Sequence, residues 1–277
     1  MTRLTDDLRQ AGLGPHTNEI LELARVSARI ERTRCAQSDL ARGASRLGGT
    51  ADLPAGFAWP VFEERPLAFL AQFDLAALPR SVRGLPSAGT LAVFYDDESM
   101  RRGADPKDVG SAHVAYIPAG PVLVPTPTPD PARTFHPCAV TVARTVDLPN
   151  LNDFVCQPLR EKLKQSERAA YSKLVASDDE TYHHLLGHPQ LVQNDMRVEC
   201  ELVSHGFNCS SPEGFQAGKA FVEGGINWTL LLQIDSDDED DGPGWMWGDV
   251  GRIYFWLTRP DLDAERFDRS WLCLQAY

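Results

Sequence analysis

The chain has 277 residues, 43% of them hydrophobic and 9% aromatic, which is enough apolar material for one large core or two small ones. Its charged fraction is an ordinary 24%, but the balance is acidic, with a net charge of −12. Such a field excludes phosphate backbones and anionic lipid as natural partners and favours encounter with a basic protein, besides serving solubility.

At the start, Met1-Thr2-Arg3-Leu4 lacks the apolar centre of a signal peptide, and no later run approaches the roughly 18 to 20 apolar residues of a membrane helix. A cytoplasmic location without membrane contact is expected. Thr17 is placed to cap a helix in which Ile20, Leu23, Ala24, Ser27 and Ile30 recur at helical spacing. Short β-type runs follow at Leu67–Phe73, Thr90–Tyr95 and Ala112–Ile117, bounded by Pro, Gly and Asp. Seven prolines crowd residues 118–137, which predicts a stiff, extended connection outside any central strand. A second helix is expected after Pro158, burying Leu159, Leu163, Ala170, Tyr171 and Leu174. Strand signals return at Met196–Val203, Trp228–Ile234, Arg252–Leu257 and Trp271–Tyr277. Six cysteines occur without a C-x-x-C pair and read as free thiols.

A repeat organises these strands. Leu70-Ala71-Gln72-Phe73-Asp74, followed by Gly89-Thr90-Leu91, matches Leu231-Leu232-Gln233-Ile234-Asp235, followed by Gly251-Arg252-Ile253. A fainter echo sets Leu47-Gly48-Gly49 against Leu186-Gly187-His188. The expected fold is α+β, a mostly antiparallel or mixed sheet with a duplicated strand-loop-strand unit and a few flanking helices. Residues 1–44 read as a helical leading segment packed on the main domain. Residues 45–277 read as a single domain, duplicated over approximately 47–117 and 184–277.

Leu47–Pro60, Leu70–Asp74, His184–Pro189, Trp228–Asp237, Trp247–Trp256 and Phe267-Asp268 resemble, in order, motifs of the YwqG-like family of bacterial proteins. The resemblance spans roughly residues 45–277. It implies an α+β fold and a family of unknown function, with no catalytic residue to carry over.

Candidate chemistry is sparse. The run Asp235–Gly242 invites a calcium loop, but an EF-hand frame starting at Asp237 puts Gly248 at the position that needs a bidentate carboxylate. His183, His184 and His188 suggest zinc, yet Gly187 and Pro189 end any helix that would align them. Neither a metal nor another cofactor is expected, and no nucleophile elbow or phosphate loop is present. Trp245, Trp247 and Asp249 beside the acidic loop, with the pairs Gln72/Asp74 and Gln233/Asp235, form the candidate binding set. They are functional if they line a cleft between the repeats, and structural if the indoles pack under the loop and the amides bond backbone. The expected function is a non-enzymatic module that engages a basic protein, an immunity-type inhibitor of a basic toxin being one form. The alternative is a small-molecule-binding protein or enzyme with its site between the duplicated halves. Oligomeric state is not legible in the sequence.

Overall fold

The stretch expected to carry the first helix onward is a strand. In the structure, a computed structural model describing residues 2–176 and 181–277, helix α1 (Thr2–Gln10) is followed by α2 (Thr17–Leu23), which stops there. Arg25–Arg34 forms β1, a ten-residue strand. Its side chains alternate: Ala28 and Ile30 enter the central core, while Ser27 and Arg29 take the other face. The helical spacing of Ile20, Leu23, Ser27 and Ile30 is coincidental beyond Leu23. Thr17 is also not the expected cap, because its hydroxyl donates back to the Gly14 carbonyl at 2.9 Å.

The first half continues with β2 (Arg46–Leu47), β3 (Ala51–Pro54), β4 (Val61–Phe62), β5 (Arg65–Pro66), β6 (Ala68–Asp74), β7 (Thr90–Tyr95) and β8 (Ala112–Ile117). The proline-rich connection contains β9 (Leu123–Thr126), which pairs only with β3 in a separate two-stranded sheet. The second half holds β10 (Cys138–Asp147), α3 (Gln157–Lys162), α4 (Gln165–Val175), β11 (His183–Leu186), α5 (Arg197–Ser204) and α6 (Pro212–Ala217). It ends with β12 (Trp228–Asp235), β13 (Arg252–Thr258), α7 (Arg259–Asp263) and β14 (Trp271–Gln275). The run at Met196–Val203, expected as a strand, is therefore helix α5. Met196 and Cys200, one turn apart, pack with Trp228 and Trp256, and the Asp195 carboxylate accepts the Arg197 N–H at 2.7 Å to start the helix.

Ten strands form one sheet in the order β14-β13-β12-β11-β1-β10-β2-β6-β7-β8, with every pairing antiparallel. The fold is α+β. Read from the centre outward, the order is the same on both sides: β2, β6, β7 and β8 match β11, β12, β13 and β14. Register makes the match residue by residue. Gln72 pairs with Ala92 and Gln233 with Tyr254, and a bulge falls at Leu70 in one copy and at Leu231 in the other. Each bulge turns two consecutive residues, Leu70-Ala71 and Leu231-Leu232, into the same core. The duplication also reaches further than expected, because β1 matches β10. Ala28 opposite Leu185 corresponds to Cys138 opposite Leu47, and Glu31 pairs with Thr141 at the centre of the pseudo-twofold. The first strands are exchanged: β1 lies against β11 of the later copy, and β10 against β2 of the earlier one.

The sheet curls until its ends meet. Leu274 N–H donates to the Arg102 carbonyl at 3.0 Å, Trp271 Nε1 donates to the Gly103 carbonyl at 2.8 Å, and Tyr116 meets Phe267 at 5.5 Å between rings. Both halves fill the interior, from Phe73, Leu91 and Tyr95 on one side to Ile253, Phe255 and Leu257 on the other. The outer face is covered by β3 and β9 over the first half, by α5 over the second, and by a helical layer in which Leu8, Leu13 and Ile20 pack on Leu159, Leu163 and Tyr171. All six cysteines carry free thiols. Among the described residues, no helix is long and apolar enough to cross a membrane.

Candidate functional site

The repeat signature is a structural device. Gln72 Oε1 accepts the Asp52 N–H at 2.8 Å and its Nε2 donates to the Ala44 carbonyl at 2.9 Å. Gln233 does the same in the second half, accepting from Gln190 N–H and donating to the Tyr182 carbonyl, both at 2.9 Å. Asp74 N–H donates to Ser45 Oγ at 2.9 Å, and Asp235 N–H donates to His183 Nδ1 at 3.0 Å. The Asp74 carboxylate caps the following turn at Ala76 N–H, while the Asp235 carboxylate accepts from Tyr182 N–H and lies 2.9 Å from Arg252 Nε.

Trp245 and Trp247 are fully buried, stacked at 5.5 Å, and both Nε1 groups donate to the Asp235 carbonyl. They form the plug of the core beneath the loop. Asp249 lies on the surface, where its carbonyl accepts the Tyr277 N–H. The seven expected residues are thus divided among the strand fastenings, the core beneath the loop and the surface.

The acidic loop is also not a free anionic surface. Arg32 of β1 grips Asp237 with two nitrogens, at 2.7 and 2.8 Å, and reaches Glu239 at 2.8 Å and Asp241 at 3.0 Å. Arg34 adds a hydrogen bond to the Asp240 carbonyl. Burial alone would raise the Asp237 carboxyl, but Arg32 and His183 outweigh it and hold it below the ordinary value.

The polar cleft lies elsewhere, between the outer face of the sheet and the helical layer. It is a cavity of about 740 Å³ bordered by Asp7 of α1, Leu174 of α4, Arg29 of β1, Asp147 at the end of β10, and the turn His188-Pro189-Gln190. Its wall carries three buried polar atoms with no hydrogen-bond partner among the described residues: Asp147 Oδ2, His188 Nδ1 and Gln190 Oε1. Asp147 Oδ2 and Gln190 Oε1 are acceptors. His188 Nε2 donates to the Leu23 carbonyl at 2.7 Å, and its Nδ1 faces Asp153 Oδ2 at 3.7 Å. Each such atom, left dry, costs about 1–3 kcal/mol.

The other repeat shows what this position looks like when it is closed. By register, Arg46 corresponds to His184, Gly49 to Gly187, Thr50 to His188, Asp52 to Gln190 and Gln37 to Asp147. A Cβ built on Gly49 would meet Gln37 Oε1 at 2.4 Å, and one on Gly187 would meet Asp147 Oδ2 at 2.3 Å, so the two polar tips occupy matching places. In the first half every group is spent. Gln37 Oε1 accepts the Thr50 N–H at 2.8 Å, and Arg46 pairs with Asp52 at 2.5 Å while donating to the Ala41 and Thr50 carbonyls. In the second half the arginine is replaced by His184, whose Nδ1 donates to the Leu186 carbonyl at 2.7 Å and whose Nε2 has no hydrogen-bond partner among the described residues. Burial lowers the His184 pKa and keeps the ring neutral.

The turn itself differs between the copies. Gly48-Gly49 adopts φ of +61° and +70°, and the equivalent pair is Leu186-Gly187, at +59° and +79°. The echo seen in sequence is thus displaced by one residue. A leucine held in this left-handed conformation costs on the order of 1 kcal/mol, a strain that recurs at functional sites.

Behind His188 lies a buried ionic relay. Asp153 Oδ2 is 3.7 Å from His188 Nδ1 and 3.3 Å from an Arg197 nitrogen, which in turn lies 3.4 Å from Asp195. Burial alone would raise Asp153, but His188 and Arg197 hold it below the usual range, whereas burial and then Asp153 push Asp195 up to about 6. This relay fixes the turn that presents His188 and Gln190 to the cleft. The three histidines noted in sequence point apart, each ring bonded to a different partner: His183 to Asp237, His184 to Leu186 and His188 to Leu23.

The cleft residues His188, Gln190 and Asp147, with the buried His184 beside Asp147, were not gathered by sequence reasoning. The signal that finds them is the repeat itself, once aligned by pairing: polar substitutions at positions that the sister copy seals. No curated protein matches the chain. A model of a family described as a domain of unknown function (DUF1963) matches residues 45–276, and the chain, with its duplicated sheet, belongs to that family.

Proposed function

We propose that the protein binds a small polar molecule that supplies O–H or N–H donors to the cleft beside His188. The observation that supports this reading is the pair of buried acceptors without a partner among the described residues, Asp147 Oδ2 and Gln190 Oε1, in the residues that wall a cavity of about 740 Å³. That volume falls within the ordinary range of about 300–1,000 Å³ for ligand pockets. Arg29 and Arg252 line the same wall as Asp7 and Asp147, so the cleft carries charges of both signs, which favours a neutral polyol-like or amide-bearing ligand over a strong cation. We also take the protein to be a cytoplasmic member of the bacterial YwqG-like group.

The test pairs binding with stability. Thermal-shift and calorimetric screening against polyols, nucleosides and amides should yield a ligand whose affinity collapses in Asp147→Asn and Gln190→Met. The same variants without ligand should melt at or above the wild-type temperature, because an unmet acceptor is removed and no bond is lost. Variants that lose stability instead, or a screen that yields no donor-bearing ligand, would defeat the reading. Engagement of a basic protein is the second reading. It draws its support from the net charge of −12, and a salt-sensitive stoichiometric complex in a native pull-down is its test.

A further inference from the structure

On the other side of His188 the sign of the surface reverses. A pocket of about 310 Å³ opens at the strand ends of the second half, and four arginines line it: Arg25, Arg83, Arg197 and Arg259. Among the described residues no carboxylate lines it. In a chain of net charge −12, a pocket lined by four arginines, of which Arg197 alone has acid partners behind the wall, is a local inversion of the whole-molecule field.

These arginines divide by role. Arg197 is buried, already paired with Asp153 and Asp195, and lies 4.9 Å over the Trp256 ring, so it is the fixed floor. Arg25 is exposed and donates to the backbone carbonyls of Glu22 at 2.7 Å and Ala24 at 3.0 Å, and among the described residues no carboxylate pairs with it. Arg83 and Arg259 are exposed, and among the described residues neither has an ion-pair partner. Ile226, an exposed apolar side chain, and Leu262 complete the walls.

The pocket is asymmetric between repeats, and the asymmetry is informative. Arg83 and Gly84 belong to the loop between β6 and β7 of the first half, yet a Cβ on Gly84 would sit 3.8 Å from Leu186 of the second. The sister loop, between β12 and β13, makes the reciprocal crossing: the Pro243 carbonyl accepts the His136 N–H at 2.8 Å. There the space is filled by Trp245 and Trp247 packed on Phe135. One loop closes its position with indoles, and the other leaves it open and places an arginine at the rim.

We infer that the pocket of Arg25, Arg83 and Arg259 binds the phosphate group of a small phosphate monoester. Guanidinium forks match oxyanions in geometry, and three such charges suit a group carrying about −1.5 to −2 better than a carboxylate carrying −1. The volume admits a phosphate with a short organic tail lying against Ile226 and Leu262. This assignment stands apart from the donor-bearing ligand of the neighbouring cleft, and its test involves neither Asp147 nor Gln190.

Isothermal titration of the full chain with inorganic phosphate, glycerol phosphate, ribose 5-phosphate and the carboxylate glycerate is the experiment. The phosphate monoesters should bind, more weakly as salt rises, and at least tenfold more tightly than glycerate. Arg83→Ala with Arg259→Ala should weaken them by about tenfold or more while leaving the unliganded melting temperature at or above wild type, since both side chains are exposed and unpaired. Arg83→Lys should retain part of the affinity, and Arg83→Glu should abolish it. The inference is overturned if no phosphate monoester binds at millimolar concentration, if the paired alanine variant binds as wild type does, or if glycerate binds equally well.

Discussion

Removing Arg32 tests the claim that the acidic loop is internally neutralised. Arg32 contacts three carboxylates, of which only Asp237 is fully buried; Glu239 and Asp241 are 50% and 67% exposed. Exposed pairs of this kind are worth about 0.2–1 kcal/mol each, whereas stripping the partner from a buried charge costs about 3–5 kcal/mol. Arg32 keeps some solvent contact and His183 remains 3.2 Å from Asp237, so the lower end applies, about 3 kcal/mol for Arg32→Ala. Asp241→Ala should cost no more than about 0.5 kcal/mol. Replacing both members of the buried pair, as Arg32→Met with Asp237→Leu, should recover much of the loss, because neither charge is then left unpaired. Urea denaturation at pH 7, read as midpoint shifts at constant m-value, measures all four chains. The Asp237 carboxyl is held below its unfolded value, so its contribution is intact at pH 7 and is lost only as pH falls through the acid range. If Arg32→Ala costs the same as Asp241→Ala, the loop is a solvated tip and the argument fails.

Two further outcomes are expected. Gln72→Leu and Gln233→Leu should destabilise by similar amounts, about 1–3 kcal/mol each, because each strands one buried N–H and one buried carbonyl in matching geometry; denaturation midpoints differing severalfold between them would contradict the structural equivalence. Glu199, pushed up to about 7 by burial, is protonated in the fold at pH values where it ionises unfolded, so its contribution is present below about pH 4.5 and lost as pH rises through 7. Glu199→Gln should remove that loss, flattening the stability profile between pH 5 and 8 by on the order of 2 kcal/mol, and an unchanged profile would refute the assignment.

Much of the sheet was legible because β6, β7, β8, β12, β13 and β14 are apolar runs bounded by turn residues, and a strand buried on both faces leaves that mark. Strands with one solvated or polar face left weaker marks. β10 alternates Val140, Val142 with the exposed Thr141, Ala143 and follows a proline-rich stretch, and β1 offered helical and alternating patterns at once, settled only by pairing with β10 and β11. Met196–Val203 alternates in sequence, yet contact with Trp228 and Trp256 draws it into a helix. The Gln-x-Asp signature correctly marked the duplication, and its side chains proved to be the fastening of each copy. The cleft was hidden for a physical reason. It is defined by bonds that the second copy fails to make, and a missing bond is visible only beside the copy that makes it.

The exchange of first strands bears on how the chain can be divided. A cut anywhere in residues 118–137 would leave β1 attached to a half that holds none of its pairing partners, and β10 attached to the half that lacks β2. Neither fragment would own a complete set of neighbours for its own backbone, so each would present open edges to any other chain. A polypeptide with a single copy of the unit would therefore need a second molecule to finish its sheet, crossing at the place where Glu31 now faces Thr141. Joining the copies in one chain makes that association intramolecular and frees the two crossing points to diverge, one sealed by an arginine and the other opened by a histidine.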